Sequence, residues 1–188
     1  MWILILGLIV FFAIHSVRMA AGGFRERQLE VSPGRWKAIY ALFSLIGLAL
    51  IVWGWTLYRP GAPVLYEPPF WGRYVAMAAV WVAFVFVVAA YQPAGYIKSY
   101  LKHPFLVGVF MWAAAHLLAN GDLASVPLFG AFLIFAVVNR LAVIAREAPT
   151  PAPVRPRGDL IALLAGTALY AVFVLWLHGW LFGVSLIG

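Results

Sequence analysis

The residues of this sequence that are best suited to chemistry are its four histidines, and His116 stands in the most informative context. Trp112 lies four residues before His116 and Asn120 four residues after it, so one helical face carries all three. Asn120 is placed either to hold the second ring nitrogen of His116, as metal-ligating histidines require, or to hold the following turn. His116 is therefore either a cofactor or substrate residue or a packing residue hydrogen-bonded to a neighbouring helix.

His103 precedes Pro104 at the start of the same apolar stretch. The separation of His103 and His116 corresponds to about 20 Å along a helix and to different sides of it, so they cannot ligate one metal ion together. His15 lies in the first apolar stretch with Arg18 one turn away, which suits a haem whose propionates reach the membrane surface. Each of these two histidines can instead have a purely structural role. His103 would then be an interfacial residue, and His15 would be hydrogen-bonded within the helix bundle.

His178 lies between Trp176 and Trp180 near the end of the last apolar stretch, where tryptophans commonly form an interfacial belt. The predicted depth of His178 in the membrane is closer to that of His116 than the predicted depth of His15 is. It therefore remains a rival axial ligand beside its interpretation as a residue of the belt.

Haem is the cofactor that these residue types favour. The absence of cysteine excludes disulfides, thiolate metal sites and iron–sulfur clusters. No two histidines stand four residues apart and no acidic residue lies in an apolar stretch, so the usual zinc and di-iron patterns are missing. No glycine-rich nucleotide loop is found either. Histidine is a common axial ligand of haem iron, which leaves haem as the natural group.

The elements that must position these histidines are membrane helices. The chain of 188 residues is 65% hydrophobic and 10% charged, whereas soluble domains are about 25% charged. The apolar runs lack the alternation of barrel strands, so we predict an all-α, polytopic membrane helix bundle in contact with the lipid bilayer. About six transmembrane helices are predicted, over residues 2–21, 38–58, 74–95, 104–119, 123–141 and 160–186.

Charge predicts the orientation of these helices. The positive residues concentrate in the loops after the first, third and fifth segments, and only Arg59 and Arg73 lie on the opposite side. Positively charged loops stay in the cytoplasm, so the prediction is N-out and C-out. The same rule explains the formal net charge of +7 without nucleic acid as a partner.

Two connections differ in kind. Asn120-Gly121-Asp122 predicts a tight turn between antiparallel neighbouring helices, with Gly121 at a position that needs a positive φ. Residues 148–157 form a proline-rich cytoplasmic loop that can span about 30 Å, so the last helix can dock far from the fifth.

The helix-four residues resemble the signature of the NnrU family. They are Leu101-Lys102-His103-Pro104, then Gly108 and Trp112, then the run from Ala115-His116 to Asn120-Gly121-Asp122, and finally Phe129-Gly130. The resemblance extends over most of the chain, including Phe12-Ala13-Ile14-His15-Ser16, and implies a single domain over residues 1–188. It implies a multi-pass protein of the bacterial inner membrane, associated with denitrification and nitric-oxide metabolism.

The NnrU family is similar to 15-cis-zeta-carotene isomerase, a membrane enzyme that uses haem b. This similarity implies that His15 and His116 ligate haem iron and that His103 is a further site residue. It also implies an alternative function, a haem-dependent isomerase acting on a hydrophobic substrate.

A more distant similarity is to isoprenylcysteine carboxyl methyltransferases, whose Arg-His-Pro motif corresponds to Lys102-His103-Pro104. Lys102 replaces the arginine of that motif, and the Gly-x-x-Tyr-x-x-Tyr pattern expected after Glu147 is missing. A methyltransferase-like membrane enzyme and a non-catalytic partner of a respiratory complex complete the alternatives. The sequence identifies no protein partner.

Overall fold

The computed structural model describes residues 1–146 and 154–187, and the described chain is all-α. An isolated bridge joins Val64 and Asp122. The helices are α1 (Trp2–Ala20), α2 (Gly22–Val31), α3 (Pro33–Tyr58), α4 (Gly72–Tyr91), α5 (Tyr96–Leu101), α6 (Pro104–Ala119), α7 (Ser125–Arg146), α8 (Pro156–Val172) and α9 (His178–Phe182). A 3₁₀ turn, Arg59–Gly61, follows α3, and a π-helical segment, Phe173–Leu177, joins α8 to α9.

The predicted membrane segments are confirmed as helices. Within the described part of the chain, five helices are long and apolar enough to cross a membrane, and the last of them runs from Pro156 to Phe182. The sixth segment is α6, a shorter apolar helix of 16 residues that begins at Pro104, where proline suits the first turn. The chain is therefore a multi-pass membrane protein; its N-out and C-out orientation stays a prediction.

Two helices lie where the sequence predicted only loops. The polar helix α2 occupies the connection after α1, and the short helix α5 lies between α4 and α6. Neither helix has an apolar run, which is why hydropathy missed both. Residues 148–153 of the predicted proline-rich loop of residues 148–157 lie outside the described residues. Pro156, which was predicted to belong to this loop, is the first residue of α8.

The chain forms two compact units, Met1–Pro63 and Val64–Gly188, and the prediction of one domain over residues 1–188 stays a prediction. The first unit is a hairpin of α1 and α3 whose backbones approach closely at glycines. A Cβ added to Gly7 would lie 2.6 Å from the nitrogen of Ile51, and one added to Gly47 would lie 2.8 Å from the nitrogen of Phe11. Small residues of this kind let membrane helices pack backbone against backbone.

In the second unit, α4 packs against both α6 and α8, and α7 packs against α6. A Cβ on Gly108 of α6 would lie 2.9 Å from the Ala83 oxygen, and one on Gly166 of α8 would lie 2.7 Å from the Val85 Cα. Both helices thus cross α4 within the same helical turn. The predicted α6–α7 neighbourhood is confirmed, and so is the docking of the last helix away from α7.

Side chains at the start of α8 attach it to the α4–α5 connection. The Asp159 carboxylate accepts hydrogen bonds from the main-chain nitrogens of Tyr96, at 2.6 Å, and Ile97, at 3.1 Å. The main chain contributes as well, since the main-chain nitrogen of Arg155 donates to the main-chain oxygen of Ala94 at 2.7 Å. Since α8 starts beside the end of α4, it runs antiparallel to α4, as α6 does. Consequently α6 and α8 run in the same direction.

Candidate functional site

His116 is a half-buried residue of α6 whose imidazole is held by its own helix. Its Nδ1 lies 2.7 Å from the Trp112 carbonyl oxygen. Because a carbonyl oxygen can only accept, Nδ1 is the nitrogen that carries hydrogen, and Nε2 of the neutral ring carries the lone pair. In metal-ligating histidines, one ring nitrogen is typically fixed by a hydrogen bond to a carbonyl or carboxylate oxygen, and the other nitrogen offers its lone pair to the metal.

Aromatic rings surround the His116 imidazole. The Phe129 ring of α7 stacks on it at a centroid distance of 4.4 Å and an interplanar angle of 27°. The Trp112 ring lies 5.0 Å from it, and Phe132 lies 5.3 Å from Trp112. The predicted common face of Trp112 and His116 is confirmed. The sequence did not indicate Phe132, which stands one helical turn after Phe129 on the neighbouring helix.

Asn120 does not hold the imidazole of His116. Its Nδ2 donates to the main-chain oxygen of His116 at 3.0 Å, so the second of the two predicted roles, holding the turn, is the correct one. The carbonyl of Trp112 occupies the place that the first role gave to Asn120. Sequence types do not reveal such a main-chain partner.

The turn after α6 is fixed by a loop from outside the motif. The nitrogens of Leu65 and Tyr66 donate to the Gly121 oxygen at 2.8 and 3.2 Å. The Tyr66 hydroxyl lies within hydrogen-bonding distance of the main-chain oxygens of Asn120, at 2.8 Å, and Leu117, which share its single hydrogen. We call this contact of residues 64–66 with residues 117–122 the Tyr66 junction. It lies directly beyond the helical turn that carries His116.

Gly121 is required at the Tyr66 junction for a different reason from the predicted one. A Cβ at this position would overlap the main-chain oxygen of Tyr66. The predicted positive φ is wrong, because the described glycine with a positive φ is Gly183, at 66°. The glycine therefore provides space for a second chain segment rather than a left-handed turn.

His178 is positioned by an unusual helix end. Its main-chain N–H bonds the Phe173 oxygen five residues earlier, which is the π-helical pattern, and such π-turns are frequent at functional sites. After Gly183 the chain reverses, and the Val184 oxygen comes to lie 2.8 Å from Nδ1 of His178. As at His116, Nδ1 carries the hydrogen and Nε2 of the neutral ring carries the lone pair.

His178 and His116 belong to the same unit, Val64–Gly188. Within residues 1–146 and 154–187, no three His, Cys, Asp or Glu side chains are grouped to hold a metal ion. The histidines of this unit are His103, His116 and His178, and Nδ1 of both His116 and His178 is held by a main-chain oxygen, which suits ligation of a haem iron through Nε2.

His15 lies in the first unit, on α1. Its Nδ1 is 2.7 Å from the Phe11 oxygen, and its ring stacks on Phe11 at 4.0 Å and lies 5.1 Å from the ring of Tyr40. Like His116, it is thus held through Nδ1 by the carbonyl four residues earlier. The joint ligation of one iron by His15 and His116, which belong to different units, stays a prediction.

His103 caps the other end of the helix that carries His116. Its main-chain oxygen accepts hydrogen bonds from Leu106 and Val107 at 3.1 and 3.3 Å, and it follows Lys102, a residue with a φ of 61°. The two histidines are separated by almost the full length of α6, as predicted. His103 therefore belongs to the opposite end of the helix from the His116 surroundings.

A family model described as NnrU protein matches residues 3–186, which is nearly the whole chain. The comparisons of this chain with curated proteins and with solved structures found no significant match.

Proposed function

The chain belongs to the NnrU family, and on that premise we propose that it is a haem b protein of the bacterial inner membrane, associated with denitrification and nitric-oxide metabolism. The proposal is supported by one observation above the others. His116 stands in an apolar helix, with Nδ1 held by a carbonyl and its ring packed against aromatic side chains. An ionisable side chain in such surroundings is costly, and ligation of a metal is a role that would justify it.

Each residue around His116 has a definite task in this proposal. The Trp112 carbonyl keeps the hydrogen on Nδ1, so that Nε2 is the ligating atom. Phe129 fixes the plane of the imidazole by stacking. Trp112 and Phe132, whose rings pack against each other, would provide an apolar surface for a porphyrin. Bound haem supplies an iron that can bind nitric oxide and exchange electrons.

An absorption spectrum of the purified full-length protein tests the proposal. The chain is expressed with haem supplied and is purified in detergent, and we expect a Soret band from haem that co-purifies with it. His116→Ala should remove or strongly shift that band, because the anchored ligand is lost. His103→Ala is the matched control on the same helix and should leave the band unchanged.

A colourless wild-type protein that also fails to take up added haem would overturn the proposal. Loss of the band in His103→Ala with retention in His116→Ala would contradict the assignment of the ligand. The melting temperature of each variant is measured in parallel to confirm that it is folded.

A further inference from the structure

We propose that His178 supplies the second axial ligand of the His116 site, so that both ligands come from the unit Val64–Gly188. This inference rests on the proposed function, since it assigns a ligand of the same haem. It differs from what the similarity to the carotene isomerase implies, which places the second ligand at His15.

Helix directions place the two histidines at one end of the second unit. Helices α6 and α8 both run antiparallel to α4 and cross it within one turn, through Gly108 and Gly166. Starting from these crossings, His116 and His178 both lie further along in the same direction.

The exposure of neighbouring residues distinguishes His178 from an interfacial belt. Trp176 and Trp180 are 65% and 79% exposed, whereas His178 between them is half-buried. The tryptophans therefore face outward, as a belt requires, whereas the His178 side chain is partly covered by its neighbours. Its ring lies 5.2 Å from the Phe182 ring and 6.0 Å from the Phe173 ring, so aromatic side chains line this histidine as they line His116.

The local backbone is irregular on both sides of His178. A π-helical segment precedes it, and a left-handed glycine, Gly183, returns the chain so that the Val184 carbonyl reaches Nδ1. His116 and His15 instead use the carbonyl four residues earlier in a regular helix. Such irregularities weaken a helix, and here they fix the ring and the tautomer that leaves Nε2 free to ligate.

Two imidazoles on one haem iron give a six-coordinate, low-spin centre, and this makes the inference testable by spectroscopy. Ferric wild type, loaded with haem, should show low-spin absorption and electron paramagnetic resonance spectra. His178→Ala should shift both spectra to a five-coordinate, high-spin form, and added imidazole should restore the low-spin form. His15→Ala should give the wild-type spectra, and it serves as the matched histidine control.

His178→Met keeps the proposal testable if the alanine variant is unstable. A thioether in place of the imidazole changes the low-spin spectrum only when the side chain at position 178 ligates the iron. Melting curves of all variants separate ligand loss from unfolding.

Two results would overturn the inference, and they differ in what they say about the proposed function. Unchanged spectra in His178→Ala and His178→Met, together with a high-spin His15→Ala, would return the second ligand to α1 and leave the haem proposal intact. Failure of the wild type to bind haem would remove both proposals together.

Discussion

The two units of the molecule differ in the contacts that hold each of them together internally. In Met1–Pro63, the helices α1 and α3 approach through glycines, at Gly7, Gly47 and Gly54. In Val64–Gly188, polar side chains also bond main-chain atoms far away in sequence. They include Tyr66 at the end of α6, Asp159 at the start of α5, and Arg140, whose Nη1 donates to the Leu101 oxygen at 3.1 Å.

This difference indicates which unit is suited to hold a ligand. Contacts between glycine and backbone set how close two helices are, but they depend little on the chemical identity of the neighbours. Hydrogen bonds from side chains to loop carbonyls and nitrogens fix the ends of helices, and thereby the height and rotation of residues such as His116. A site on rigid, hydrogen-bonded elements keeps its geometry better than one on elements held by packing alone.

The largest effect is expected from breaking the glycine contact of the first unit. In Gly54→Val, the new Cβ would overlap the main chain of Leu4, which cannot turn aside as a flexible side chain could. Overpacking costs about 1–3 kcal/mol, and a clash with backbone lies at the upper end of that range or above it. We expect a strong loss of monodisperse protein in detergent and a lower melting temperature.

Gly34→Val is the matched control in the same helix, because a Cβ at Gly34 meets nothing within 4 Å. Equal yields and melting temperatures for Gly54→Val and Gly34→Val would show that the glycine approach does not hold the α1–α3 hairpin.

A smaller effect is expected when the Tyr66 junction is broken by Gly121→Val. The added side chain would overlap the Tyr66 oxygen, but residues 64–66 belong to a loop, which can move more readily than a helix. We expect a loss of about 1–3 kcal/mol of stability, measured as a lower melting temperature. In the haem-loaded protein, the spectrum should also broaden, since the junction adjoins the turn that carries His116.

Gly130→Val is the control for this change, because α7 leaves open space around Gly130. A Gly121→Val protein as stable as Gly130→Val would mean that the loop is not fixed on the α6–α7 turn.

The smallest effect is a pH dependence at the Tyr66 junction. Burial, with a further contribution from the Asp122 carboxylate, raises the pKa of Tyr66 above its ordinary value of 10.0. The folded state then binds the phenolic proton more tightly than the unfolded state does. This stabilisation is complete below pH 10 and is lost as the pH rises through the folded-state pKa.

Above pH 10, the melting temperature of the wild type should therefore fall more steeply with pH than that of Tyr66→Phe. Near pH 7, the variant should be less stable by about 0.5–1.5 kcal/mol, because it lacks the hydroxyl hydrogen bonds. Parallel curves for the two proteins across the alkaline range would contradict the raised pKa.

Hydropathy and proline positions were sufficient to predict most of the fold. The span beginning at Pro104, the antiparallel α6–α7 pair and the remote docking of α8 followed from segment lengths and from the residues between segments. The helices α2 and α5 were missed, because neither contains an apolar run that hydropathy can identify.

The candidate site was only partly predictable. The common face of Trp112 and His116 follows from a spacing of four, which a helix fixes. The role of Tyr66 could not be predicted, because its hydroxyl bonds main-chain oxygens that are distant in sequence. The role of Val184 could not be predicted either, because it acts through a main-chain oxygen, which every residue type shares. Gly121 was singled out correctly but for the wrong reason, as its neighbour in space lies on a distant loop.

The position of α4 between α6 and α8 has a consequence for biosynthesis. The α1–α3 hairpin can pack as soon as its two helices have been inserted. In contrast, the face of α4 that binds α8 stays without its partner until Pro156–Val172 has been translated. At about 5–20 residues per second, this delay lasts about 4–16 s. During that interval Val85 of α4 lacks its contact with Gly166, and the main-chain nitrogens of Tyr96 and Ile97 lack the Asp159 carboxylate.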